Sequence, residues 1–300
     1  MFKLASPVQR IHLKLITAAA FWAMTPIFGR LLADYRAPYA LACGRFIFAT
    51  LALAAILAFR PARERRIAWR DLPIFMLLGL TGVCLHNVLV LMGAQYTQAN
   101  RANVIFASIS LLIVLLDLLF LRRLPRLLTA CGLLIGIAGT ALVVTDGDLA
   151  QLASGGIGRG EWLVLGSAAS WALYSVLGRG VLQRYAPLTI VFYASVCGTC
   201  MLLPLVWLDV LALPQLLGDP RVWLMVGFVG CLNSALGFLW YYQAVQALGA
   251  LTSSAYINLV PIFGVVFSAL LLDETPSPAL LVGGALVIAS LMVLARSTSD

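Results

Sequence analysis

Residues 19–30 read AAFWAMTPIFGR, and residues 168–179 read AASWALYSVLGR. Six of the twelve positions are identical, and Trp22 with Trp171, Gly29 with Gly178 and Arg30 with Arg179 fall at matching places 149 residues apart. Both copies lie in hydrophobic stretches long enough to cross a bilayer, and repeats of this kind mark membrane folds built from two halves. Helices rich in Ala, Leu and Gly also resemble one another by chance, so the rest of the chain has to carry the duplication.

The composition fixes the solvent. Of 300 residues, 62% are hydrophobic and 11% charged, against about 25% charged in a soluble domain. Such a chain has no solvated surface in water and is expected in a lipid bilayer. The net charge of +8 is not a nucleic-acid signature, because Lys3 and Lys14 are the only lysines and no basic patch is interleaved with polar or aromatic groups. Cys43, Cys84, Cys131, Cys197, Cys200 and Cys231 all fall in apolar segments. The Cys197-x-x-Cys200 pair has no His, Asp or Glu nearby and reads as small buried hydrophobes. No cofactor or metal is expected. Lys3, Arg10 and Lys14 precede an apolar run as in a signal peptide, but the run continues through Trp22 and Pro26 without a small-x-small cleavage site. We read it as a retained first helix.

A crossing needs about 20 mostly apolar residues. The sequence predicts spans at 11–32, 38–59, 71–93, 99–121, 126–145, 161–181, 188–208, 221–244, 250–272 and 278–295. Ten crossings put both termini on one side. With the termini cytoplasmic, 14 Lys and Arg residues lie inside and five (Arg30, Arg36, Arg101, Arg159 and Arg221) lie outside, with Arg45 alone in the membrane. This is the positive-inside bias. Five helices per half is an odd number, so the second half inserts upside down. Leu121-Arg122-Arg123-Leu124-Pro125 and Leu272-Asp273-Glu274-Thr275-Pro276 occupy similar places with opposite charge, as inverted copies should. The expected fold is all-α and integral to the membrane: ten helices as two inverted five-helix repeats, residues 1–147 and 148–300.

Polar and aromatic groups at mid-depth locate the candidate site. Trp22, Thr25, Pro26 and Gly29 share one face of the first helix, and Trp171, Tyr174, Ser175 and Gly178 share the equivalent face of the sixth. An indole at this depth needs a partner for its N–H or a wet cavity. Two such faces related by the repeat form walls of one central site, the alternative being close helix packing through Gly and Ser. His86 and Asn87 on the third helix and Asn233 and Ser234 on the eighth form another related pair, since lipid satisfies no polar group. The fourth helix carries Asn103, Ser108 and Ser110, and the ninth Tyr256, Asn258 and Pro261; Pro261 removes a helical hydrogen bond and can kink its helix. Arg45 either snorkels outward or pairs with a carbonyl, and Asp117 with Arg122 or Arg123. We assign both to structure or gating, together with Pro26 and Pro261. The expected substrate-binding set is Trp22, Thr25, His86, Asn87, Ser110, Trp171, Tyr174, Ser175, Asn233, Tyr256 and Asn258. The fifth and tenth helices, with Gly132, Gly136, Gly139, Gly283 and Gly284, read as peripheral support or as a lipid or subunit face. A monomer is the simplest oligomeric reading.

The chain resembles the drug/metabolite transporter superfamily in its ten-helix EamA branch. The likeness rests on the early Trp of helices 1 and 6, Arg45-Phe46 in helix 2, Tyr241-Tyr242-Gln243-Ala244, Pro261 in helix 9 and Glu274 before the last helix. The first half departs from the pattern, with Ser110-Leu111 where the Pro would stand and Arg123 near the usual acid. The resemblance implies export of amino acids or other small metabolites by alternating access, closest to exporters of aromatic and other amino acids in a bacterial inner membrane. It also implies that helices 1, 3, 4, 6, 8 and 9 surround the substrate.

The expected partners are thus a small-molecule substrate and the lipid bilayer. A weakly charged pocket of Trp, Tyr, Asn and Ser suits zwitterions. Phosphate esters want Lys or Arg at the site, which argues against nucleotide-sugar exchange, and helix 1 lacks the carboxylate a cationic-drug antiporter needs. Another metabolite or drug exporter of the superfamily is the alternative. A non-transporting receptor or assembly protein is the reading from a different class. No HExxH, Gly-x-Ser-x-Gly or paired mid-membrane Asp supports an enzyme.

Overall fold

The computed structural model describes residues 7–121, 127–148, 157–249, 253 and 256–297; within them the side chains of Asp117 and Asn258 fall outside the described set. All regular structure among the described residues is helical. Helix α1 spans Pro7–Leu31, α2 Pro38–Ala58 and α3 Trp69–Gly93. Helix α4 is made of Ala99–Phe106 and Ser108–Leu121, interrupted at Ala107. There follow α5 (Leu127–Val144), α6 (Arg159–Val181), α7 (Pro187–Leu205), α8 (Pro220–Leu248), α9 (Leu259–Leu272) and α10 (Pro278–Ser297). Pro38, Pro187, Pro220 and Pro278 open their helices, where proline's fixed φ suits the first turn and its missing N–H costs nothing.

Six helices, α1, α2, α3, α4, α7 and α8, are long and apolar enough to cross a membrane. Apolar stretches in α5, α9 and α10 are shorter, at 10–17 residues. Helix α6 is 23 residues long and belongs to neither class, because Arg159, Glu161, Arg179 and its Ser, Gly, Trp and Tyr residues lower its hydropathy. Neighbours on several sides shield it, so it needs less apolar surface of its own. The exterior is apolar: Leu51, Leu119, Leu224 and Leu270 are each at least 62% exposed, a surface for lipid and not for water.

The helices interlock across the two halves. Helix α1 packs on α8 and α9 while α6 packs on α3 and α4; α2 packs on α8 while α7 packs on α3; and α2 meets α7 as α5 meets α10. The α5–α10 contact is close, because a Cβ at Gly139 would lie 2.7 Å from the Gly283 carbonyl. The repeat glycines also sit at crossings. A Cβ at Gly29 would stand 2.8 Å from the Ala94 Cβ just past α3, and one at Gly178 would overlap the Tyr242 hydroxyl on α8.

Two features depart from the sequence expectation. Of the predicted span 250–272, α9 itself is described from Leu259 onward, and α8 closes at Gly249 with φ 84°, a positive φ that suits glycine. A 3-10 turn, Tyr256–Asn258, then leads into α9 at Leu259. Pro261 stands in the first turn of α9, directly after the 3-10 turn, where it supplies no N–H to the helix. Second, α3 and α8 each contain a π-helical stretch, Gly79–Leu85 and Val229–Gly237, beginning 150 residues apart. Such wide turns are rare and collect at functional sites.

Candidate functional site

The bundle is tied at both ends and hollow between them. At the end where α1 begins, His12 Nδ1 and the Tyr256 hydroxyl share a 2.6 Å hydrogen bond, and Lys14 Nζ donates to Gln243 Oε1 at 2.9 Å. There Asp71 also accepts from Arg184 Nη1 at 2.8 Å and from the Tyr185 hydroxyl at 2.7 Å. At the opposite end Arg101 joins Asp146 at 3.0 Å and Glu161 at 3.1 Å. Glu274 accepts from the backbone N–H groups of Ala99 and Asn100 at 3.0 and 2.9 Å, capping α4 from beyond α9. The Tyr35 hydroxyl donates to Asp219 at 2.6 Å. That bond pushes the Tyr35 hydroxyl above its ordinary pKa and is the largest cause holding the Asp219 carboxyl below its own.

The cavity lies between these ties. Its walls come from Trp22 and Thr25 on α1, Arg45 on α2, His86 on α3, Phe106 and Ile109 on α4, Trp171 on α6, Asn233 and Phe238 on α8, and Ile257 and Val260 at the start of α9. It encloses ≈30 Å³, room for roughly two water molecules and far below the about 300–1,000 Å³ of a small-molecule pocket. The space is too small for a metabolite, so a solute needs the helices to part.

Aromatic rings form most of the floor. The Trp22 and Trp171 rings meet edge to face at 5.5 Å, and Trp171 also contacts Phe238 at 4.6 Å and His86 at 4.9 Å. Three groups supply polarity. His86 Nδ1 lies 3.0 Å from the Ser167 carbonyl and 2.8 Å from its hydroxyl, which itself donates to the His86 carbonyl at 3.0 Å. A carbonyl only accepts, so the neutral imidazole carries its proton on Nδ1 and keeps Nε2 as an acceptor. Asn233 Nδ2 donates to the Phe21 carbonyl at 2.5 Å and to Thr25 Oγ1 at 2.8 Å, while its Oδ1 accepts from Arg45 Nη2 at 2.5 Å. Arg45 Nε donates to Ser234 Oγ at 2.5 Å. One asparagine thus stitches α1, α2 and α8 together beneath the cavity.

The family model for EamA-like transporters matches residues 9–145 and again 158–296. The chain belongs to the EamA-like transporter family. It is 32% identical over 297 residues to the "Probable terminal-alkyne amino-acid exporter" of Streptantibioticus cattleyicolor, covering 99% of this chain and 95% of that protein. It is 27% identical to the uncharacterized transporter YyaM of Bacillus subtilis, over 86% of this chain and 85% of the relative. A crystal structure of another protein shares the fold at 19% identity, with a TM-score of 0.64 over 97% of this chain and 99% of that one. The protein is a multi-pass membrane transporter.

In this EamA-like transporter the cavity gathers Trp22, Thr25, His86, Trp171 and Asn233 from the expected binding set. The others stand elsewhere, for identifiable reasons. Asn87 is fully buried and its Nδ2 donates to the carbonyls of Gly82 and Val83 at 3.1 and 2.9 Å, serving the wide turn of α3. Tyr174 packs its ring where a Cβ of Gly82 would stand, and Ser175 faces the Tyr241 hydroxyl at 3.5 Å. Ser110 is buried on α4 away from the cavity lining. Tyr256 is drawn to the bundle end by His12. The side chains of Asn258 and Asp117, and residues Arg122 and Arg123, lie outside those described. Pro26 is buried within α1 and leaves the Trp22 carbonyl without its helical donor.

Arg45 differs most from expectation. It does not snorkel: it is 2% exposed and turned to the cavity. Sequence reading also missed Phe106, Ile109, Phe238, Ile257 and Val260, since an apolar side chain reads the same whether it faces lipid or a cavity. For Arg45 the signal was present, because water lies about two turns away along its helix while neutral acceptors at Asn233 and Ser234 sit within its reach.

Proposed function

We propose that this transporter exports small metabolites, amino acids foremost, including aromatic and other neutral ones, by alternating access around the central cavity. The reading includes ten crossings as two inverted five-helix repeats, residues 1–147 and 148–300, with both termini cytoplasmic in a bacterial inner membrane. It needs no cofactor. The observation that carries it is a cavity whose walls come from both halves, with two indoles in contact at its centre and polar groups few and fixed. Aromatic faces tolerate varied side chains, while a small polar set orients one common headgroup. The exchange of contacts between α1 with α8 and α9 and α6 with α3 and α4 supports two halves that rock against each other, as inverted-repeat carriers do. The relative from Streptantibioticus cattleyicolor supports the substrate class and the direction.

Counterflow in proteoliposomes against amino acids, nucleobases and cationic drugs tests the substrate class. Accelerated exchange confined to amino acids is expected, and exchange confined to cationic drugs refutes the reading. Tags in loops 60–70 and 146–160 should report inside and outside respectively; the reverse sinks the topology.

A further inference from the structure

We infer that Arg45 and Trp22 form a carboxylate-binding subsite in the central cavity, so that solutes are taken as carboxylates, zwitterionic or anionic, and amines without a carboxylate are refused. The inference deepens the transport reading above and rests on it for its physiological meaning, while the binding claim has its own test.

Two buried donors on residues of the cavity wall have no acceptor, and one of them, Trp22 Nε1, lies beside α8 at 2.8 Å from where a Gly237 Cβ would stand. Arg45 Nη1 and Trp22 Nε1 are both buried and, among the described residues, neither meets a hydrogen-bond partner. Both side chains line the same cavity. Buried donors are nearly always satisfied, and a guanidinium in the membrane interior carries its charge at any physiological pH. The partners that Arg45 has, Asn233 Oδ1 and Ser234 Oγ, are neutral. They fix the fork of the side chain through Nη2 and Nε and leave Nη1 free. The charge is therefore held in place and not neutralised by any described carboxylate.

The missing ligand must bring negative charge and at least two acceptor positions within a small, mostly apolar space. A carboxylate does this: its two oxygens suit a guanidinium N–H and a second donor. A phosphate ester fits less well, since a dianion calls for a second cation and Arg45 is the only arginine or lysine among the described lining residues. Beyond the headgroup, Phe106, Ile109 and Phe238 offer an apolar wall to the solute's side chain. His86, with Nε2 left as an acceptor, is placed to receive an ammonium, which admits α-amino acids without requiring them. The field of an unpaired guanidinium repels a ligand that is only cationic.

The test uses the full-length purified protein in nanodiscs. Isothermal titration compares 3-phenylpropionate with 3-phenylpropionamide, a pair that differs only in the charge and acceptors of the headgroup. Wild type is expected to favour the carboxylate at least tenfold, the scale of one charge-assisted bond. R45Q should erase that preference, R45K should retain part of it, and W22F should weaken the carboxylate several-fold with little effect on the amide. Equal affinity of wild type for both ligands, no carboxylate binding at all, or an undiminished preference in R45Q overturns the subsite. Should R45Q not be recovered monodisperse, R45K and W22F decide: an unchanged preference in both overturns it equally. The two readings fail separately. Carboxylate binding without amino-acid counterflow leaves the subsite and removes the amino-acid reading, whereas amino-acid counterflow with unchanged KM in R45Q removes the subsite alone.

Discussion

Asn233→Asp puts the cavity's electrostatics to a direct trial. The side chain keeps its shape, and its Oδ1 position still accepts from Arg45 Nη2, 2.5 Å away, but it now carries a charge. An aspartate there neutralises Arg45 from within. It also forfeits the Nδ2–H bond to the Phe21 carbonyl, whereas the Thr25 hydroxyl can turn to donate instead. The Phe21 carbonyl keeps its helical donor within α1, so the loss is one hydrogen bond, about 0.5–1.5 kcal/mol, plus the repulsion of two oxygens until the side chain turns, and the new ion pair offsets part of that. Folding should therefore survive. Binding should not. A solute carboxylate on Nη1 and the aspartate on Nη2 would stand about 5 Å apart, and at an effective dielectric of about 20 their repulsion is about 3 kcal/mol, roughly a hundredfold in affinity. Counterflow of a neutral amino acid in proteoliposomes reads this as a rise in KM of about that size, with protein recovered and monodisperse. Asn233→Ala is the control, removing the same hydrogen bonds without adding charge, and it should raise KM far less. A folded N233D protein whose KM stays within about threefold of wild type refutes the argument.

Three further outcomes follow from the packing and the end contacts. Trp171 is 3% exposed and touches Trp22, His86 and Phe238, so W171A should cost about 3–5 kcal/mol of stability. W171F should keep the fold and raise KM several-fold; normal kinetics in W171F would remove the indole from the site. G178A should lower the melting temperature more than G29A, because the first forces Tyr242 aside while the second presses on Ala94 at 2.8 Å and Leu91 at 3.2 Å; overpacking of this kind costs about 1–3 kcal/mol. The Asp219 carboxyl is held below the ordinary carboxylate range chiefly by the Tyr35 hydroxyl. Its contribution is thus complete above the unfolded pKa and lost as pH falls through the folded one, while that of Tyr35, raised above 10.0, is present below the unfolded pKa and lost as pH rises through the folded one. Melting curves from pH 3 to 7 should lose an acid-labile step in D219N, and identical profiles would exclude the pair from stability.

Much of this architecture was legible because proline and charge punctuate the chain. Pro38, Pro187, Pro220 and Pro278 mark helix starts to the residue or within one or two of it, and the spaced repeat pointed to Trp22 and Trp171. The indoles were expected on two walls, and the structure brings them into contact across the cavity. The wide turns of α3 and α8 were not legible. They arise from tertiary contacts: Ser170 on α6 donates to the Thr81 carbonyl at 2.7 Å, and a Cβ at Gly230 would stand 2.5 Å from the Arg45 carbonyl. No local propensity encodes such contacts. The same holds for Asn87, whose amide was read as a ligand for solute and serves its own backbone instead.

Those wide turns have a mechanical consequence. One residue of α-helix subtends about 100°, so a π stretch that tightens to α geometry rotates everything beyond it by about that angle without unfolding the helix. The first residue past Gly79–Leu85 is His86, and the first past Val229–Gly237 is Phe238. Both line the cavity. Tightening either stretch would therefore re-aim the wall residue directly behind it together with the rest of its helix.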